Sequence, residues 1–277
     1  TEMASPREQS TTGPVRPFLK WAGGKRQLLP EIRKHIPMKL GCYHEPFVGG
    51  GAVFFAIAHR KAVLYDLNTR LIRTWRAVRD DVENVIGLLS GYKYDRDFFM
   101  DFRAQDIDQR SDTEVAAWLI YLNKTAFNGL YRVNRQNRFN VPFGRYTNPV
   151  ICDAANLRAC STALAGVDIV EGDFSQVEKK AVKGDFVYFD PPYDPLSSTS
   201  SFTAYAAGGF GPEEQVRLRD TALKLKKHGV HVLLSNSNTP EMRSLYAKGF
   251  EKIKVSATRA INSKADRRGK ISELLIW

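Results

Sequence analysis

Seven short apolar runs that read as strands alternate, over most of the 277 residues, with segments of helical periodicity. That alternation restricts the fold more than any other feature of the chain. The runs lie at 41–45, 62–66, 167–171, 185–190, 230–235, 250–256 and 272–277, and the clearest helical patterns at 28–36, 52–59 and 213–228. Several runs are too short for periodicity alone to separate strand from helix. Taken together, strands alternating with helices imply right-handed crossovers and a mostly parallel sheet. The expected class is α/β, with a Rossmann-like sheet.

The alternation breaks once. Residues 69–150 show helical segments at 71–89, 97–105 and 114–124 and no convincing parallel strand. They end in 127–146, a polar and aromatic stretch containing Asn-Gly and Pro that reads as a hairpin or a long ordered loop. The chain therefore divides into a polar, disordered tail (1–15), a sheet domain (16–68 and 151–277) and a mainly helical insertion (69–150) carrying a β-hairpin.

Charge narrows the partner. Forty-one basic against 30 acidic residues give a net +11. The excess sits in three windows. Residues 16–39 carry Arg16, Lys20, Lys25, Arg26, Arg33, Lys34 and Lys39 against Glu31. Residues 127–146 carry Arg132, Arg135, Arg138 and Arg145 and no acid, and 252–270 carry seven basic residues against Asp266. Clustered positive charge suits a polyanion, because neutralised phosphates release counterions; a basic surface that serves only solubility is the alternative. No apolar run approaches the roughly 18 residues of a membrane span, and the first residues lack the apolar stretch of a secretory signal. Cys42, Cys152 and Cys160 form no CxxC pair and the five histidines no ligand spacing, so neither a disulfide framework nor a metal site is expected. A reducing, cytoplasmic setting fits.

Three motifs carry chemistry. Glu45-Pro-Phe47-Val-Gly49-Gly-Gly51 joins a strand to a helix, where glycines admit a close ligand and the helix N-terminus offers free N–H groups. Asp66 ends the next strand, a position for binding ribose hydroxyls or for capping the following helix. Asp190-Pro191-Pro192-Tyr193 follows an apolar strand; two prolines stop the ladder and fix an acid and an aromatic ring at the sheet's carboxyl edge, where open α/β sheets bind ligands. A fourth segment, Phe18-Leu-Lys20-Trp21-Ala22-Gly-Gly-Lys25, precedes the first helix and lacks the spacing of a Walker loop.

These segments, in this order and with Ser197-Ser-Thr-Ser-Ser-Phe-Thr-Ala-Tyr205 after them, resemble the Dam-type DNA adenine-N6 methyltransferases of the alpha group over nearly the whole chain. The resemblance implies a catalytic domain (16–68 and 151–277) and a target-recognition domain (69–150). It implies S-adenosylmethionine held by Trp21, Ala22, Lys25, Glu45, Phe47, Gly49, Gly51, Asp66, Asp173, Phe174 and Asp190, with Asp173 and Phe174 around the cofactor adenine. Asp190, Pro191, Pro192 and Tyr193 match the catalytic tetrad. Lys20, Phe127, Asn128, Leu130, Arg132, Asn134, Arg138 and Pro142 fall in the DNA-contacting segments; Phe127 stands where relatives often carry Tyr. The implied substrate is double-stranded DNA, with GATC as the site, and the protein is expected to act as a monomer without metal.

The chemistry follows. Adenine N6 is a poor nucleophile because its lone pair is delocalised. The Asp190 carboxylate and the Pro191 carbonyl can draw out its two hydrogens and localise that pair, as preorganised electrostatics. Tyr193 would stack on a base flipped from the duplex, with Phe127 filling the gap. Arg132 either reads a guanine or binds only phosphate. Ser235-Asn236 either supports the target pocket or forms a turn, and 252–270 either contacts DNA or is a solvated loop. Competing readings are a methyltransferase for another planar amino group (an RNA base or glutamine) and a non-catalytic DNA-binding protein with a methyltransferase shell.

Overall fold

The computed structural model describes residues 14–23, 25, 27–196, 209–258 and 270–277. All seven expected strands are present: β1 (Tyr43–Glu45), β2 (Ala62–Asp66), β3 (Asp168–Glu171), β4 (Phe186–Phe189), β5 (His231–Ser237), β6 (Lys252–Thr258) and β7 (Lys270–Ile276). They form one sheet in the order β3-β2-β1-β4-β5-β7-β6. Strands β1 to β5 are mutually parallel, and β7 runs antiparallel between β5 and β6. The sheet is mostly parallel, as expected; the antiparallel pair closes one side.

The inner strands β1, β2, β4 and β5 are almost wholly buried because both faces are covered, whereas β3 and β6 at the sheet edges are partly exposed. Period-two alternation sends Leu64, Phe186, Tyr188, Leu233 and Leu275 into one core, and Val63, Tyr65, Val187, Phe189, Val232, Leu234, Leu274 and Ile276 into the other. The first core also holds α1 (Leu29–Arg33), α2 (Ala52–Ile57), α3 (Thr69–Asp80), α4 (Val82–Gly91), α5 (Arg96–Arg103), α6 (Asp112–Thr125) and α7 (Ala154–Ala163). Against the second lie α8 (Val177–Lys180), α9 (Pro212–Lys227) and α10 (Pro240–Leu245). Among the described residues no helix is long and apolar enough to cross a membrane.

Two local details differ from the sequence reading. The segment 71–89 is two helices, because Asp81 leaves the helical region (φ −143°) while its N–H closes α3 on Ala77 and its carboxylate accepts from Asn84. The stretch 127–146 is not a regular hairpin. Its pairing consists of two isolated antiparallel bridges, Ala126 with Phe143 and Val133 with Phe139. Asn128 and Asn137 take positive φ within it, and Pro142 offers no N–H to a ladder. The apolar residues of α3 to α6 share one core with the sheet face.

Candidate active site

In a parallel sheet every strand ends at the same edge, and the chain order reverses between β1 and β4, the place where such sheets take ligands. The glycine turn leaves β1 and the Asp-Pro-Pro-Tyr segment leaves β4, so the two motifs meet at that switch. Gly49 (φ +49°) and Gly51 (φ +73°) are left-handed. A Cβ on Gly49 would lie 2.8 Å from Trp21 Cδ1, and one on Gly51 would strike the ring of Trp75. Two tryptophans therefore pack directly on the turn. Trp75 Nε1 donates to the Gly49 carbonyl at 3.0 Å, and Trp21 stacks on Tyr131 at 5.4 Å. Asp66 pins the turn to β2: Oδ2 accepts from Gly49 N–H at 3.1 Å and Oδ1 from Asn68 N–H at 3.0 Å. The helix cap is Asn68, not Asp66. Burial raises the Asp66 carboxyl, offset by those N–H groups.

Asp190 sits at the centre, with 21% of its side chain exposed. Its Oδ1 accepts from Ser235 Oγ at 3.2 Å and pairs with Lys25 Nζ at 3.2 Å. Ser235 in turn shares a 2.8 Å hydrogen bond with Tyr188. Burial pushes the Asp190 carboxyl up to about 6, against the attraction of Lys25. Lys25 Nζ also lies 4.1 Å above the Tyr193 ring, and the Tyr193 hydroxyl donates to Glu273 on β7 at 3.0 Å. The backbone of the tetrad is tied down around this. Gln215 Nε2 donates to the Pro192 carbonyl, Asn236 Nδ2 to Gln215, Asp194 N–H to Asn236 Oδ1, and the Ser237 hydroxyl to the Asp194 carbonyl. Ser235 and Asn236 lie in β5, not in a turn. Among the described residues no donor reaches Asp190 Oδ2 or the Pro191 carbonyl.

Glu45 ends β1 and is 2% exposed. Its Oε1 accepts from Tyr43 at 2.8 Å, while Oε2 is buried without a hydrogen-bond partner. Burial pushes this carboxyl up to about 8. Ala22 is exposed in the turn that follows Trp21. Beyond β3, Asp173 is held by Arg217 through two hydrogen bonds of 2.6 and 2.8 Å, which keep its carboxyl well below the usual range. Phe174 is buried, with Arg217 stacked 4.2 Å over its ring, Phe47 at 5.5 Å and Phe210 at 6.1 Å.

The predicted DNA-contacting residues form a second group. The Lys20 backbone is held by Asn123, and Lys20 Nζ donates to Asn128 Oδ1 at 3.1 Å. Phe127 and Leu130 are exposed, at 58% and 37%, and the Pro142 carbonyl accepts from Phe127 N–H at 2.8 Å. Arg132 is exposed, with its guanidinium donating to Asn140 twice. Asn134 folds its side chain back onto the N–H groups of Gln136 and Arg138. Arg132, Arg135, Arg138 and Arg145 face no carboxylate within ion-pair distance among the described residues.

Sequence reading missed Trp75, Tyr188, Gln215, Arg217 and Glu273. All but Tyr188, which stands two residues before Asp190 on β4, come from elements far along the chain, and none carries a local signal. The motif at 197–205 and the basic residues at 259–269 lie outside the described residues. At the opposite edge of the strands, Cys42, His44 and Asp185 bring possible ligand atoms within 4.8 Å of one another. Their hydrogen bonds join the strand starts: Asp185 accepts from Cys42 N–H and Val182 N–H and pairs with His44, which also meets Tyr65.

A model of the family described as D12 class N6 adenine-specific DNA methyltransferase matches residues 21–261. A type II methyltransferase of Lactococcus lactis subsp. cremoris, M1.LlaDCHI, is 47% identical over 270 residues, covering 95% of each chain. Proteins named DNA adenine methylase are 35% identical in Haemophilus influenzae, over 99% of this chain and 98% of that one, and 35% identical in Escherichia coli K12, over 94% of both.

Proposed function

Because the chain belongs to the D12 class of N6 adenine-specific DNA methyltransferases, we propose that it methylates N6 of an adenine flipped out of double-stranded DNA, within GATC, using S-adenosylmethionine. The observation that carries this reading is the pair of unclaimed acceptors at the tetrad. Asp190 Oδ2 and the Pro191 carbonyl are left open among the described residues, while the neighbouring Pro192 and Asp194 carbonyls are taken. A primary aromatic amine has two hydrogens and needs two acceptors. Satisfying both localises the nitrogen lone pair at the moment it attacks, with no reorganisation of the site.

The residues present fit the cofactor. Asp66 stands at the end of β2 with its carboxylate partly exposed and accepting only N–H bonds, ready for ribose hydroxyls. Phe47 and Phe210 leave part of their rings exposed beside Phe174 for a purine. The orphaned Glu45 Oε2 calls for a donor or cation. When bound there, S-adenosylmethionine supplies the electrophilic methyl group. Tyr193 offers its ring to the target base, and its hydroxyl bond to Glu273 fixes the ring plane. Residues 69–150 act as the target-recognition part. Exposed Phe127 and Leu130 suit insertion into a base stack, and Arg132, Arg135, Arg138 and Arg145 are uncommitted to acids and so available to DNA.

Incubation of duplex DNA with tritiated S-adenosylmethionine, followed by nucleoside mass spectrometry and methylation-sensitive cleavage at GATC, tests this. Label in N6-methyladenine with protection at GATC is expected. Label at other sequences alone would remove the site assignment, and absence of N6-methyladenine would remove the function. The Asp190→Ala variant is expected to bind cofactor yet transfer no methyl group.

A further inference from the structure

We propose that Lys25 is a positioning residue of this site: with the Ser235 hydroxyl it holds Asp190 through one oxygen, so that the other is presented as an ionised acceptor for the target amine. The proposal rests on the function given above, and it assigns Lys25 to the acid rather than to the cofactor loop in which its sequence context places it.

Three observations converge. First, both anchoring contacts end on the same oxygen: Ser235 Oγ and Lys25 Nζ each lie 3.2 Å from Asp190 Oδ1. One hydrogen bond and one ammonium are thus both drawn to Oδ1, which leaves Oδ2 as the oxygen open to a further donor. Second, Lys25 is buried, at 6% exposure, although an unpaired ammonium avoids burial. Asp190 is the one carboxylate with which it pairs among the described residues. Third, the same ammonium lies 4.1 Å over the Tyr193 ring, a second attraction that fixes its place between acid and aromatic. The preceding turn allows this reach: Gly23 is left-handed (φ +82°), and its Cβ position lies 3.9 Å from Lys25 Nζ, so the loop folds back beneath its own side chain.

Electrostatics gives the arrangement its purpose. Among the described residues, the charged and titratable groups around Asp190 are Lys25 before α1, Tyr43 and Glu45 on β1, Tyr188 on β4, Tyr193 after it and Glu273 on β7. Lys25 alone among them is cationic. Burial and Glu273 drive Asp190 toward its neutral form, and Lys25 and the Ser235 hydroxyl oppose them. Without the ammonium the midpoint of this carboxyl would move further up, so that more of it is neutral near pH 7, and a neutral acid is a weaker acceptor than a carboxylate.

The test follows the Asp190 carboxyl directly. Protein labelled with carboxyl-13C aspartate is titrated by NMR, with the Asp190 signal identified by its loss in Asp190→Asn. Single-turnover methyl transfer and S-adenosylhomocysteine binding are measured alongside, for wild type, Lys25→Met and Lys25→Arg. In Lys25→Met the Asp190 midpoint is expected to rise by about one pH unit or more, and in Lys25→Arg to stay within about half a unit. Methyl transfer by Lys25→Met should fall about tenfold near pH 6.5 yet only about threefold near pH 9. S-adenosylhomocysteine should bind with little change. An unmoved midpoint, an equal loss of rate at both pH values, or lost cofactor binding with an unmoved midpoint would each overturn the assignment. If Lys25→Met does not fold, Lys25→Gln gives the same reading. The titration is read on the free protein, so it decides the role of Lys25 even if N6-methyladenine is never formed, an outcome that would remove only the proposed function.

Discussion

Replacing Asp190 by Asn should make the protein more stable and less active, and the size of the gain should depend on pH. The folded structure holds this carboxyl at about 6, against an ordinary value of 3.8, because burial outweighs Lys25 and Ser235. A raised value means that the folded state takes up the proton first. Stability attached to this group is therefore fully present below about pH 4 and is lost as pH rises through about 6. Two units at 1.36 kcal/mol each put the cost of keeping Asp190 ionised at about 3 kcal/mol near pH 8. Asn has the shape of the neutral acid and no charge to bury. Its Oδ1 can keep the Ser235 contact and faces the buried Lys25 ammonium as the protonated acid does, so the cost of that unpaired cation is common to the variant and to the protonated state from which the figure of about 3 kcal/mol is counted. Near pH 5 the folded acid is mostly protonated and the unfolded one mostly ionised, which leaves roughly half the difference. Thermal unfolding of both proteins at the two pH values measures it. The variant should melt several degrees higher near pH 8, at about 2–4 °C per kcal/mol, with a smaller gain near pH 5. Methyl transfer should fall at least about tenfold, since a charged acceptor has become a neutral one. A variant less stable than wild type near pH 8, or a gain independent of pH, would refute the idea that this acid is held ionised against its surroundings.

Two further outcomes follow from contacts at the same edge. Gly51→Ala forces a side chain into the left-handed region and against the Trp75 ring, so it should cost roughly 2–4 kcal/mol, seen as a lower urea midpoint. Tyr193→Phe loses the bond to Glu273 but keeps the ring, so its methyl-transfer rate should fall by less than about tenfold. Tyr193→Ala, which removes the ring, should lose more; equal rates for the two variants would show that stacking is not its contribution.

How much of this was legible in the sequence depends on the kind of contact. All seven strands could be read, because two-sided burial makes the inner strands β2, β4 and β5 apolar runs and the edge strands β3 and β6 still carry apolar residues between exposed ones. The positions of Asp66 and Asp190 could be read for the same reason: an acid that closes such a run must lie at the sheet edge. The break at Asp81 was hidden, because apolar periodicity continues across it while the side chain of Asp81 bonds to Asn84. The pairing of the expected hairpin stretch is limited to two bridges: Asn137 is left-handed in the turn that joins Val133 to Phe139, and between the bridges Pro142 offers no N–H to a longer ladder.

Partners were the part that could not be read. A glycine loop with a lysine suggests an anion-binding loop, and nothing within it says that the lysine bends back to a carboxylate 165 positions later. Glu273 lies 80 residues from Tyr193 and Arg217 lies 44 from Asp173, each in an element whose local pattern reports only its own burial. The distinction bears on mechanism. Strand ends fix where an acid sits, but the groups that bond it fix which of its oxygens is free and at what pH it is charged. At Asp190 those two properties come from Ser235 on β5 and Lys25 in the loop before α1, brought together by the reversal of strand order between β1 and β4. The motif therefore supplies an acceptor, and the topology decides whether it is an ionised one.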